Sequence, residues 1–147
     1  MTQFLLDRDV ISALENPQGN KNVHAWVNTI PDADLFLSVI IVIEAQKGFT
    51  RALRKATTAA AIKTIQDFQS DFDLELASFA GRILPVGETV AKLWGEVLGQ
   101  REANLMDAVM AATASVHGLV LATRNLRHYR GRGVKLIDPF KANSKII

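Results

Sequence analysis

Short, continuous apolar runs alternate along this chain with longer stretches in which apolar residues recur every three or four positions. The first pattern fits strands buried on both faces, and the second fits helices with one buried side. "FLL" at 4–6 is the first run, and it ends in Asp7. "DVISALEN" then predicts a short helix, closed by the breaker cluster "NPQGN" at 16–20. Val23, Trp26, Val27 and Ile30 keep helical spacing until Pro31 stops it. "DLFLSV" at 34–39 is the second strand, with Ser38 placed to cap a helix that carries Glu44 to Gly48 or beyond. A long helical stretch follows through the Ala-rich residues 56–65 and "IQDFQSDFDLELASF". There Phe68, Phe72, Leu76 and Phe79 form an apolar stripe expected to face the core.

"GRILPVG" predicts a third strand, and Pro85 puts it at a sheet edge or at a strand end. "ETVAKLWGEVLGQ" is helical, and "REANLM" leads into a further helix, "DAVMAATASVHG". The alanines of that helix allow close packing, and Gly118 ends it as a C′ glycine does. "LVLAT" and "KLIDPF" complete the strands. The alternation predicts an α/β fold: a central, mainly parallel sheet of four or five short strands flanked by helices. No repeat or low-complexity linker divides the chain, so residues 1–147 are expected to form one domain.

Composition narrows the class. With 48% hydrophobic and 22% charged residues, the chain matches an ordinary globular protein and not a disordered or membrane-spanning one. The longest near-continuous apolar run, "LFLSVIIVIEA", is interrupted by Glu44. The beginning lacks the basic region and cleavage site of a secretory signal, so a cytoplasmic location is expected. Without cysteine there is no disulfide and no thiolate chemistry.

Charge is divided unevenly. Residues 1–118 hold ten Lys/Arg against fourteen Asp/Glu. Residues 119–147 hold Arg124, Arg127, Arg130, Arg132, Lys135, Lys141 and Lys145 against Asp138 alone. Such a basic segment suits an anionic partner, nucleic acid above all, and equally suits a plain solvated face.

In α/β sheets, ligands bind beyond the carboxyl ends of the strands. Asp7 and Asp9 follow the first strand, and Glu44 lies early in the helix after the second. Asp107 starts the helix that feeds "LVLAT", and Asn125 comes just after it, behind Thr123 and Arg124. Asp7, Asp9 or Asp107 taken singly also reads as a helix N-cap. Glu44 within "SVIIVIEA" is harder to explain structurally, because an unpaired glutamate is rarely buried. Together these acids suggest one all-oxygen site. Clustered carboxylates call for a cation, and oxygen donors without Cys or a His pair favour Mg²⁺ or Mn²⁺. His24, His117 and His128 lack ligand spacing, and Trp26 and Trp94 are expected in the core.

Four stretches in order resemble the motifs of one family: "LLDRDVIS", "LSVIIVIEAQKG", "DAVMAATASVHGL" and "LATRNLRHYRGRGVKLIDPF". They are similar to those of PIN-domain ribonucleases, in particular the VapC-type toxins of type II toxin–antitoxin pairs, including the FitB-like branch. The resemblance runs from Phe4 to Phe140 and implies a PIN-like three-layer sandwich. It implies that Asp7, Glu44 and Asp107 are acidic metal ligands, with Asn125 in the place of a fourth acid. The implied activity is Mg²⁺- or Mn²⁺-dependent cleavage of structured RNA. A VapB-like antitoxin is the implied partner, and homodimers are common. Read from the residues, Arg124, Arg127, Arg130 and Arg132 are candidates to meet RNA phosphates, although Arg124 also suits neutralising the nearby acids, and Thr123 either orients a ligand or simply caps. Arg8 and Asp9 stand where Thr and Asn are usual, so Arg8 grips substrate, stands aside or silences the site. The D-x-D of "FLLDRDVI" also resembles haloacid-dehalogenase-like phosphohydrolases, although their later metal motif is missing. The remaining alternative is a catalytically impaired binding protein on the PIN fold.

Overall fold

All five apolar runs form strands in the structure, a computed structural model that describes residues 1–100 and 104–147. β1 (Phe4–Leu6) leads into α1 (Arg8–Glu15) and α2 (Lys21–Asn28). A 3₁₀ turn at Asp32–Asp34 precedes β2 (Leu35–Ser38), which passes directly into α3 (Val39–Lys55). α4 (Ala59–Ser78) returns the chain to β3 (Ile83–Leu84), and α5 (Glu88–Gln100) and α6 (Leu105–His117) follow. β4 (Val120–Ala122), α7 (Leu126–Tyr129) and β5 (Leu136–Ile137) complete the order. The "REA" of the segment leading into α6 lies outside the described residues.

The sheet order is β3-β2-β1-β4-β5, and every pair is parallel. With helices on both sides it is the three-layer α/β sandwich that the alternation predicts. β3 sits at the edge, where Pro85 follows without breaking a ladder. β1 is central, pairing Phe4 with both Leu35 and Val120. All three of its residues are buried, which explains why "FLL" shows no alternation. The carboxyl ends of β1 and β4 therefore lie side by side, and Asp7 N–H donates to Ala122 O at 2.9 Å. At the outer edge, Leu136 and Ile147 exchange two backbone hydrogen bonds, which covers β5.

Ser38 caps α3 through Ile40 N–H, and Gly118 ends α6 with φ 66°, as predicted. Other expectations are corrected. Phe72 and Phe79 are buried, but Phe68 is 60% exposed, so the Phe68 to Phe79 stripe is not wholly core. One turn before Phe72, Phe68 opens onto a groove beside the last turn of α1 and Pro17. Asp107 is not a cap either: Asn104 takes that role, accepting from Met106 N–H and Asp107 N–H. The helix α7 falls inside a stretch expected to be a turn. Among the described residues, no helix is long and apolar enough to cross a membrane.

Candidate active site

Asp7 serves as cap and as floor at once. It is the N-cap of α1, with its Oδ1 accepting from Arg8 N–H at 2.8 Å. Its Oδ2 accepts from the Thr123 hydroxyl at 2.7 Å, and this bond ties β1 to the residue just past β4. Thr123 is fully buried, and its own Oγ1 accepts from Asn125 N–H at 3.0 Å. One hydroxyl thus orients Asp7 while fixing the turn that presents Asn125.

Asp107 reaches the same place from the first turn of α6. The Tyr129 hydroxyl lies 3.3 Å from Asp7 Oδ2 and 3.2 Å from Asp107 Oδ1. His128 Nδ1 stands 3.0 Å from the other oxygen, Asp107 Oδ2. Sequence reasoning missed both residues. The available signal was their place, three and four residues after Asn125 within the basic turn of the fourth motif.

Asp7, Arg8, Asp9, Glu44, Asn104, Met106, Asp107, Asn125 and His128 line one cleft of about 410 Å³. Glu44 enters it from the second turn of α3, and Asn125 from the N-cap position of α7, where its side chain caps nothing. Asp9 does not cap α1. It accepts from Arg124 N–H through Oδ2 at 3.0 Å, while its Oδ1 is buried without a partner.

The Arg8 guanidinium sits over the Phe72 ring at 5.8 Å, and among the described residues Arg8 makes no ion pair. Arg124 stacks on Phe140 at 3.8 Å. Arg124, Arg127 and Arg130 are exposed. Arg132 instead donates from Nε to His128 O at 2.6 Å, which braces α7.

Electrostatics follow from crowding. Burial pushes the Asp7 carboxyl up, the Thr123, Arg8 and Tyr129 bonds work against it, and the Asp107 charge adds to it. Asp9 is pushed up to about 6, by burial first and then by the Asp7 charge. Glu44 is raised by burial and then by the charges of Asp7 and Asp107. The Tyr129 hydroxyl is held well above its ordinary range by burial and by the same two aspartates, so it stays protonated.

These residues fit a hard divalent cation. Oxygens of Asp7 and Asp107 converge on one hydroxyl, and a partnerless buried oxygen of Asp9 adds negative potential nearby. Among the described residues, no three acidic or histidine side chains close into a complete cage.

Residues 4–133 match the family described as the PIN domain, which is most of the chain. The chain belongs to the PIN-domain family. Among its relatives is the toxin FitB of Neisseria gonorrhoeae, 33% identical, with the match covering 93% of this chain and 98% of the toxin. The VapC ribonuclease Y4jK of Sinorhizobium fredii is 30% identical over 94% of this chain and 98% of its own. In solved form, FitAB bound to an IR36 DNA fragment contains a chain with 29% identity and a TM-score of 0.78, covering 96% of this chain and 98% of that chain. The family assignment displaces the haloacid-dehalogenase alternative, since Asp7 and Asp9 now have places in a PIN fold.

Proposed function

We propose that this PIN-domain protein is a metal-dependent endoribonuclease, the toxin of a toxin–antitoxin pair, formed by residues 1–147 as one domain and acting in the cytoplasm. The observation that carries the reading is the convergence of Asp7 and Asp107, a hundred positions apart in the chain, within reach of the single Tyr129 hydroxyl. The VapC ribonuclease relative supports the nuclease assignment.

Asp7, Glu44 and Asp107 would hold Mg²⁺ or Mn²⁺, with Asn125 completing the catalytic set. A bound divalent cation supplies an acidified water and charge stabilisation at the phosphorus. Asp7 enters that role preoriented, because both of its oxygens already have donors. Asn125 offers an amide to a substrate oxygen without adding charge. Exposed Arg124, Arg127 and Arg130 meet flanking phosphates, and Arg124 is stiffened by its stacking on Phe140. Arg8 lines the cleft with its guanidinium over the Phe72 ring, where its charge can meet a substrate phosphate.

The FitAB complex on DNA supports a VapB-like antitoxin as partner and DNA binding by the pair. Exposed Ile43, Phe68 and Leu74 on α3 and α4 are apolar surface that such a partner, or a second copy in a homodimer, would cover.

The test is direct. Purified protein with Mg²⁺ or Mn²⁺ cleaves a structured RNA such as transfer RNA. Asp7→Asn and Asp107→Asn lower the rate on the order of 100-fold, the scale of losing one preorganised electrostatic group. Undiminished cleavage by both variants overturns the site.

A further inference from the structure

Tyr129 is the only tyrosine in the chain, and its ring is buried in the core on a helix of four residues. A buried phenol needs a hydrogen-bond partner, yet this one faces two carboxylates where one acceptor would be enough. Its hydroxyl carries one proton, and it serves one acceptor at a time. Asp7 Oδ2 already has the Thr123 hydroxyl at 2.7 Å, and Asp7 Oδ1 has Arg8 N–H. Asp107 Oδ1 has no other donor among the described hydrogen bonds. The single proton is therefore best placed on Asp107, and Asp7 Oδ2 then meets a bare oxygen lone pair.

That arrangement holds Asp107. The hydroxyl that donates to Asp107 Oδ1 at 3.2 Å keeps that carboxylate from swinging out of the cleft, and Asp7 Oδ2 lies 3.3 Å from the same oxygen. The ring is packed in the core while the hydroxyl alone touches the acids, so the tie is anchored from below. Phenylalanine would fill the same core space, and only the hydroxyl has work at the site.

We propose that Tyr129 is a positioning residue that holds Asp107 beside Asp7, where the two acids can share a divalent cation, without ligating that cation. This inference rests on the metal-site reading given above. It adds a residue of the basic turn as the element that holds Asp107 in place, with the hydroxyl donating to Asp107.

Two measurements test it on the full chain. Mn²⁺ titration followed by electron paramagnetic resonance gives an affinity for wild type, Tyr129→Phe and Asp107→Asn, and thermal unfolding without metal checks the fold of each. Tyr129→Phe should bind Mn²⁺ about tenfold more weakly than wild type, the scale of losing a hydrogen-bonding partner of a metal ligand, while unfolding cooperatively. Carbon-13 at tyrosine Cζ gives one resonance that needs no assignment, and Mg²⁺ should shift it saturably, with the midpoint of binding. Equal or tighter Mn²⁺ binding by Tyr129→Phe, with wild type binding normally, overturns the tie and leaves the metal site standing. A Cζ resonance indifferent to Mg²⁺ does the same. Absence of Mn²⁺ binding by wild type overturns both.

Discussion

Asp9 is the acid whose charge the fold accommodates least. One of its oxygens takes Arg124 N–H and the other is buried with nothing to accept from. Burial and the Asp7 charge push its carboxyl up to about 6, against about 3.9 for a free aspartate. Between those values the folded chain keeps a proton that the unfolded chain has released. Stability therefore falls as pH rises from about 4 to about 6 and does not recover above that. Asp7 and Glu44 are raised as well and act with the same sign. Denaturant titrations of the metal-free protein should show it more stable near pH 5 than near pH 7. Asp9→Asn keeps an oxygen for Arg124 and should flatten part of that slope while raising stability near neutrality. A slope unchanged in the variant contradicts the assignment to Asp9.

At the scale of elements, α4 is attached by little. Phe72 is the only buried residue described in its twenty, and it meets Phe49 of α3 edge-on at 6.0 Å and Arg8 of α1. Phe72→Ala should cost about 3 kcal/mol in urea unfolding, while Phe68→Ala, at an exposed position, should cost under about 0.5 kcal/mol. Near-equal losses would mean that the two rings share one environment. The periodicity of α4 showed its helix but not where its partners end, because an i to i+4 stripe says nothing about the lengths of neighbouring helices. The same limit hid α7, whose four residues make barely one turn and carry no period. By contrast, "NLMD" contains a readable cap: an Asn three residues before an Asp is a start signal that points to Asn104 and frees Asp107 for the cleft.

For the whole molecule, the parallel sheet gathers β1 and β4 at its centre, so the acids of the first strand meet the turn after the fourth. That convergence was legible, since Asp7, Glu44, Asp107 and Asn125 each follow or begin an element at one sheet edge, and the structure brings them into one cleft. Tyr129 was not legible, because its contacts with Asp7 and Asp107 span 122 and 22 positions and belong to no spacing rule. A cation bound among repelling acids should stabilise the entire fold. At a hundred times its dissociation constant, Mn²⁺ should add about 2.7 kcal/mol, read as a rise in Tm. The gain should shrink as pH falls toward about 5, where protons compete for the raised carboxylates, and Asp107→Asn should abolish it. A Tm indifferent to Mn²⁺ at neutral pH would refute the coupling.

The double duty of Asp7 also shapes how variation at this position would be tolerated. Its carboxylate starts a helix and floors a cleft, and alanine removes the cap, worth about 1 kcal/mol, along with the carboxylate proposed to hold the metal. A screen for harmless variants in living cells would therefore collect Asp7→Ala for two unrelated reasons, lost chemistry and a smaller folded population. Asparagine, which still caps, separates them. A lineage drifting away from the activity would find Asp107, with Asn104 capping its helix independently, the cheaper acid to lose.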